Sequence, residues 1–325
     1  NWATLGCGVI ANELATALAR QNRHLYSVAN RTHEKAVAFA EKYQISKVYD
    51  HLEDVFTDPD VDIIYISTPH NTHIQYLRQA LANGKHVLCE KSITLNSNEL
   101  DEAIALAEKN HVILAEAMTI FHMPIYRKLA EIVNSGTLGP LRLIQVNFGS
   151  YKEYDMNNRF FNRNLAGGAL LDIGVYALSL IRWFFAETAD QVLSQVKYAP
   201  TGVDEQAGIL LMNDAVEMAT VTLSLHSKQP KRATLSFDKA YVEIFEYPRG
   251  MQATITYTED GHKEVIDAGD TSDALYYEVR DMEKAVSSAS SDEIETLMHC
   301  QYTYDVMKIM SDIRAEWGMK YPEEE

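Results

Sequence analysis

Short apolar runs alternate with amphipathic stretches over roughly the first 120 residues, at the spacing of βαβ units. Strands are expected over 2–5, 26–29, 61–66, 86–89 and 112–115. Helices are expected over 10–21, 33–43, 74–82 and 97–109, with Thr32 placed to cap the second and Glu34 in its first turn. This grammar is that of a doubly wound parallel sheet. After Pro124 it changes. A helix over 125–133 is ended by Gly136 and Gly139-Pro140, and long alternating strands follow near 141–150, 192–198, 207–212, 216–226, 233–237, 241–245 and 252–257. One helix, near 169–185, interrupts them, and helices near 274–288 and 294–316 close the chain. Strands in succession without intervening helices imply a large, mostly antiparallel open sheet. The expected division is an α/β domain over residues 1–120 and an α+β domain over 121–325, the second serving substrate binding and oligomerisation.

Composition narrows what such a chain can do. Its 325 residues suffice for two cores, and 46% of them are hydrophobic. No uncharged apolar run approaches membrane-span length, so no membrane partner is expected. A net charge of -17 excludes nucleic acid and anionic lipid as natural partners, since both need a basic surface. Cys7, Cys89 and Cys300 are odd in number and lack metal-ligand spacing, so no metal is expected, and Cys7 and Cys89 lie in apolar segments, which points to buried free thiols in a reducing cytoplasm. No secretory signal opens the chain, and because it starts at Asn1 inside the first strand, a few upstream residues are expected to be missing.

The chemistry begins at Gly6-Cys7-Gly8-Val9-Ile10-Ala11, between the first strand and the first helix. Gly6 permits a tight turn, Gly8 lets backbone approach a pyrophosphate, and Ala11 allows helix and strand to pack closely. The helix start then offers free N–H groups to phosphates. This is the fingerprint of a Rossmann dinucleotide site. About 20 residues on, an acidic residue would grip the ribose of NAD. Asn30 and Arg31 stand there instead, and a guanidinium suits the 2′-phosphate of NADP. NADP is the expected cofactor, with NAD the lesser alternative.

Two further segments follow apolar strands and so open into the same crevice. Thr68-Pro69-His70-Asn71-Thr72-His73 is one, and Glu90-Lys91 at the end of GKHVLCEK is the other. His73 reads as a hydrogen-bonding residue that orders its loop, not a metal ligand. Farther on, Ala166-Gly167-Gly168-Ala169-Leu170-Leu171-Asp172-Ile173-Gly174-Val175-Tyr176 places Asp172 and Tyr176 four apart on one helix face. Asp172 lies among apolar residues and needs a partner, for which Lys91 is a candidate. Gly174 within the helix signals close packing. Hydride transfer from a carbinol carbon requires a base for the hydroxyl proton. A tyrosine serves only if a cation stabilises its anion, so the sequence leaves open whether Tyr176 or Lys91 takes the proton.

Together these motifs, with Gly136-Thr137-Leu138-Gly139, resemble the glucose–fructose oxidoreductase / inositol dehydrogenase (Gfo/Idh/MocA) family over essentially the whole chain. The resemblance implies Lys91, Asp172 and Tyr176 as the catalytic set and NADP as cofactor. Tyr176, where many members carry His, and Thr201-Gly202-Val203-Asp204 look most like the branch acting on cyclic diols and D-xylose. Two departures stand out: Ser92 replaces the usual proline after Glu-Lys, and Phe121 stands where an arginine is common. The expected activity is NADP-dependent oxidoreduction at a CH–OH group of a small molecule, a sugar or cyclic diol. A non-catalytic NADP-binding sensor and a reductase of a non-sugar substrate are the alternatives.

The strand over 216–226 sets Glu217, Ala219, Val221, Leu223 and Leu225 on one face. The other face carries Val216, Met218, Thr220, Thr222 and Ser224, neither charged nor strongly apolar. Depletion of charge marks an interface core, so a homodimer or a dimer of dimers joined sheet to sheet is expected.

Overall fold

Trp2–Leu5 (β1) is buried along its whole length, as a strand covered on both faces must be. In the computed structural model, which describes residues 1–325, it begins a βαβ series. The series continues through Val9–Arg20 (α1), Ser27–Ala29 (β2), His33–Tyr43 (α2), Lys47–Val48 (β3), Asp54–Thr57 (α3), Ile63–Ile66 (β4), His73–Ala82 (α4), His86–Glu90 (β5), Ser97–Lys109 (α5) and Leu114–Ala117 (β6). The six strands pair in parallel in the order β3-β2-β1-β4-β5-β6. Strand order reverses between β1 and β4, which is where a doubly wound sheet opens its ligand crevice. Leu14 and Leu18 of α1 are buried on the sheet, each burial contributing about 1.5–3 kcal/mol.

The second unit runs through Thr119–His122 (α6), Pro124–Asn134 (α7), Leu141–Gly149 (β7), a π turn at Leu170–Gly174, Val175–Phe184 (α8) and Gln191–Tyr198 (β8). It goes on through Asp204–Met212 (β9), Met218–Ser224 (β10), Gln229–Phe237 (β11), Ala240–Phe245 (β12), Gln252–Tyr257 (β13) and Lys263–Asp267 (β14). The eight strands lie in the order β14-β13-β12-β11-β7-β10-β9-β8. All neighbours are antiparallel except β7 and β10, which pair in parallel from Leu143–Met218 to Gly149–Ser224. Ala219, Val221, Leu223 and Leu225 are buried, while Met218 and Thr222 are exposed, as the alternation predicts; Ser224, expected on the open face, is buried. The stretch Arg163–Phe184 is long and apolar enough to cross a membrane, but 78% of its apolar window is buried inside the protein.

The chain does not stay in the second unit. Ala274–Ser287 (α9) and Ser291–Met298 (α10) fall in Ser272–Gln301, which packs with Asn1–Ala117. Leu275, Val279, Met282, Ala285 and Met298 join the core of Trp2, Leu14 and Leu18. The indole of Trp2 donates to Glu283 at 2.9 Å, and Arg23 pairs with the same carboxylate. An unbroken second domain over 121–325 is therefore not what forms: the apolar stripe of α9 covers α1. Cys300–Glu316 (α11) follows, and Tyr302–Glu325 belongs to the second unit.

Three expected elements are reshaped by single residues. The helix expected over 294–316 is split at His299, whose φ of 52° is left-handed. The strand expected over 216–226 loses its start to a turn in which Val216 (φ 60°) donates its N–H to the Asn213 carbonyl. Its end is closed by the Ser224 hydroxyl, which accepts from the N–H groups of His226 and Ser227. Thr32 occupies the cap position of α2 but makes no side-chain cap bond.

Candidate active site

In the first unit the candidate residues sit on four loops that leave adjacent strands, in the order β2-β1-β4-β5, at their carboxyl ends. A parallel sheet sends all of these loops out along one edge, so the structure brings Gly6, Cys7, Gly8, Val9, Ile10, Asn30, Arg31, Thr68, Pro69, His70, Asn71, His73, Glu90 and Lys91 to that edge. Gly6 has φ +104°, and a Cβ there would lie 2.8 Å from the Ser67 hydroxyl and 3.0 Å from its carbonyl oxygen. Its N–H donates to Ala29 at 2.8 Å, which ties β1 to β2. Gly8 is extended, and nothing lies within 4 Å of the Cβ it lacks. No side chain caps α1, and Val9 at its start is 79% exposed. An uncapped helix start beside an open glycine fits a dinucleotide pyrophosphate.

Around that turn stand groups suited to the adenosine side. Arg31 is exposed, and the Asn30 amide donates to the Thr32 carbonyl at 2.9 Å. Burial raises the pKa of the Cys7 thiol, and the nearby Lys35 ammonium opposes that rise. Lys35, in the first turn of α2, therefore faces the glycine turn with its charge. Sequence reading passed over it, because a lysine in an exposed first turn looks like ordinary solvation. The same holds for Asn12, whose amide donates to the Gly8 carbonyl at 2.9 Å and whose oxygen accepts from Lys42 at 2.9 Å.

The two remaining loops are locked to each other through His73. Its Nε2 lies 2.9 Å from the Thr68 carbonyl, and its Nδ1 lies 3.0 Å and 3.2 Å from those of Ser92 and Ile93. Burial pushes the pKa of this imidazole down against those three carbonyls, and the Lys91 charge pushes the same way. Thr72 binds back to the Pro69 carbonyl at 2.7 Å and the Thr68 hydroxyl at 2.8 Å. Glu90 is buried and accepts from the Tyr65 hydroxyl, and the Lys91 N–H reaches it at 3.3 Å. The Lys91–Ser92 peptide is cis, and Ser92 is fully buried. Behind the loop Glu116, also buried, accepts the Ile93 N–H at 3.0 Å.

Asp172 and Tyr176 belong to the second unit. Asp172 lies in the π turn, a distortion frequent at functional sites, and Tyr176 in the first turn of α8. A Cβ on Gly174 would meet a methyl of Leu223 at 2.8 Å, so the glycine is what lets this helix lie on β10. Asp172 is 8% exposed, and the Arg159 guanidinium stands 3.7 Å from it. Arg159 is a partner that the sequence did not suggest, since it comes from the irregular segment before the helix. The Tyr176 ring is 6.1 Å from that of Phe148, which in turn meets Tyr247 edge-on. Burial drives the Tyr247 phenol well above its ordinary range, with Tyr126 and Tyr176 adding to the effect.

Residues 1–118 match the model of an oxidoreductase family with an NAD-binding Rossmann fold, Gfo/Idh/MocA, and residues 126–243 match the C-terminal domain of the same family. The chain is similar to the trans-1,2-dihydrobenzene-1,2-diol dehydrogenase of Mus musculus, at 33% identity over 75% of this chain and 74% of that protein. With the dehydrogenase of that name from Xenopus tropicalis it shares 27% identity over 99% of both. Among solved structures, its fold matches an aldose-aldose oxidoreductase from Caulobacter crescentus with a TM-score of 0.85, at 23% identity over 98% of both chains. A 3-ketoreductase from Actinomadura kijaniata, solved with NADP and TDP-benzene, gives a TM-score of 0.84 at 19% identity over 97% of this chain and 96% of that one. This protein is an NAD(P)-dependent oxidoreductase and belongs to the Gfo/Idh/MocA family.

Proposed function

We propose that this oxidoreductase uses NADP and works on a CH–OH group of a sugar or cyclic diol. The observation that carries the reading is the shared sheet edge, where the open turn at Gly8 and the anchored Lys91 loop leave β1 and β5, with only β4 between them. Preference for NADP rests on two cations flanking the turn, Arg31 and Lys35, and on Asn30 rather than an acidic residue directly after β2. The substrate class rests on the diol named for the similar dehydrogenases.

When bound, the nicotinamide supplies the hydride chemistry, and the chain's residues handle the proton. As the carbinol C–H pair leaves as hydride, the hydroxyl proton passes to the Tyr176 phenolate or the Lys91 amine, and the carbon becomes a carbonyl. Lys91 then holds the oxygen by donating to it. Asp172 supplies the negative charge that keeps a cation at this centre. The protein acts as a homodimer or a dimer of dimers through the open face of the large sheet. A cytoplasmic setting fits the three free thiols.

The test follows NADPH absorbance while the protein is offered aldoses, inositols and cyclic trans-diols with NADP or NAD. Reduction of NADP by one of the diols or aldoses, with NAD a much poorer acceptor, is the expected result. Equal use of the two nucleotides overturns the cofactor assignment. Binding of NADP without turnover of any CH–OH compound overturns the reaction.

A further inference from the structure

Asp204 opens β9 and is completely buried. Its carboxylate accepts the N–H of Leu170, the first residue of the π turn, at 2.6 Å through Oδ2, while its buried Oδ1 has no hydrogen-bond partner. Gly168, at φ +132°, makes room for it: a Cβ there would lie 2.1 Å from Asp204 Oδ1. On the same turn the Tyr321 hydroxyl donates to the Gly167 carbonyl at 2.7 Å. The turn that launches the helix is therefore held by two residues remote from it in sequence. Asp172 comes two residues after Leu170, and Tyr176 one turn later.

Burial is the chief influence on this carboxylic acid and lifts its pKa to about 7, against the Leu170 and Ala169 N–H groups and the Arg314 charge. Arg314 approaches from α11 and is itself paired with Glu324. Tyr198 and Tyr321 face the group too, their phenols raised first by burial and then by its charge. Glu324 and Glu323 stand near Tyr321. Glu205, next on the strand, is engaged by Lys197 and by the Tyr154 hydroxyl at 2.6 Å.

We propose that Asp204 is a positioning residue whose ionised carboxylate fastens the Leu170 amide and so aims the helix that carries Asp172 and Tyr176. The inference rests on those two residues acting in the reaction. A charge-assisted bond from this amide is stronger than one to a neutral acid, so protonation loosens the turn. Stability runs the other way. A carboxyl whose folded pKa is raised favours the protonated form, so its contribution is full in acid and is lost as pH rises through about 7. A residue of merely structural value would move activity and stability together. This one separates them.

The experiment compares the holoenzyme with Asp204→Asn from about pH 5 to about pH 9, across the titration. It reads kcat, KM, melting temperature and the hydrogen-exchange protection factor of the Leu170 amide. In the unaltered protein kcat and the Leu170 protection factor should fall together below about pH 7 while KM holds steady. In Asp204→Asn both profiles should flatten, with kcat about ten- to a hundredfold lower above that pH, the scale of a misplaced reacting group. Its melting temperature at alkaline pH should equal or exceed that of the unaltered protein. Asp204→Ser, a shorter neutral acceptor, should behave alike and replaces the Asn variant if that fails to fold. A Leu170 protection factor that stays level with pH in the unaltered protein overturns the proposal, as does an Asn variant that keeps normal kcat and its acid limb. Asp172→Asn and Tyr176→Phe are run alongside. If those two keep normal turnover, the catalytic assignment fails, and the exchange data alone decide whether Asp204 clamps the turn.

Discussion

The phosphate edge of the first unit is made mainly of backbone, whereas the helix start of the second is made of side chains brought from elsewhere. Gly6, Gly8 and the uncapped start of α1 need only a strand, a turn and a helix in succession. The turn that leads into Asp172 depends on Asp204, 34 residues beyond Leu170, and on Tyr321, 154 residues beyond Gly167. Sites of the first kind tolerate change in their surroundings. Sites of the second kind are exposed to changes far from the chemistry.

The sharpest way to break this contrast is Lys91→Ala, which removes a side chain from the backbone-built edge. We expect kcat to fall roughly 10²–10⁴-fold, the cost of a lost proton-transfer or orienting group, with NADP affinity by fluorescence changing much less. Near-normal turnover in both Lys91→Ala and Tyr176→Phe would remove these residues from the chemistry. Next in size is Arg31→Ala, expected to raise KM for NADP by about one to two orders of magnitude while NAD kinetics barely move. Lys35→Ala should do the same more weakly, because an ammonium is a point charge without the two-pronged fork of a guanidinium.

Smaller effects should separate the two glycines. Gly6→Ala forces a left-handed alanine against Ser67, so denaturant melts should show a loss of about 1–3 kcal/mol. Gly8→Ala meets nothing in the protein and should leave stability within about 0.5 kcal/mol, yet weaken NADP binding about tenfold by intruding on the pyrophosphate. Equal losses of stability in both would erase the distinction between a fold glycine and a ligand glycine. The smallest effect on turnover belongs to Thr222→Arg on the exposed face of β10. It should dissociate the oligomer in sedimentation at micromolar concentration and leave kcat nearly intact, and an unchanged assembly would move the interface elsewhere.

What the sequence made legible follows the same line. α2 and α5 begin and end at the residues their periodicity marks, and the glycine turn announces itself by spacing. β6 was expected two residues early because Glu116 breaks the apolar pattern, and a carboxylate in a buried strand makes sense only once Ile93 supplies an N–H. β3 and β14 are edge strands: Lys47–Val48 is too short to register, and Lys263–Asp267 is mostly exposed, so neither carries a burial pattern. The parallel contact of β7 with β10 has no local signature, since it joins strands that are distant in the chain. Asp172 and Tyr176 were legible as a spacing, but the π turn beneath them and the guanidinium of Arg159 were not. Both arise from tertiary packing.

The return of Ser272–Gln301 to the first unit also orders events during synthesis. A nascent chain that has emerged only through Ala117 has all six strands of its sheet but lacks Leu275, Val279, Met282 and Met298 to cover α1. Its apolar surface stays bare until the chain through Met298 has left the ribosome, the interval in which partly folded chains aggregate. The Rossmann half of this enzyme is written first and finished late.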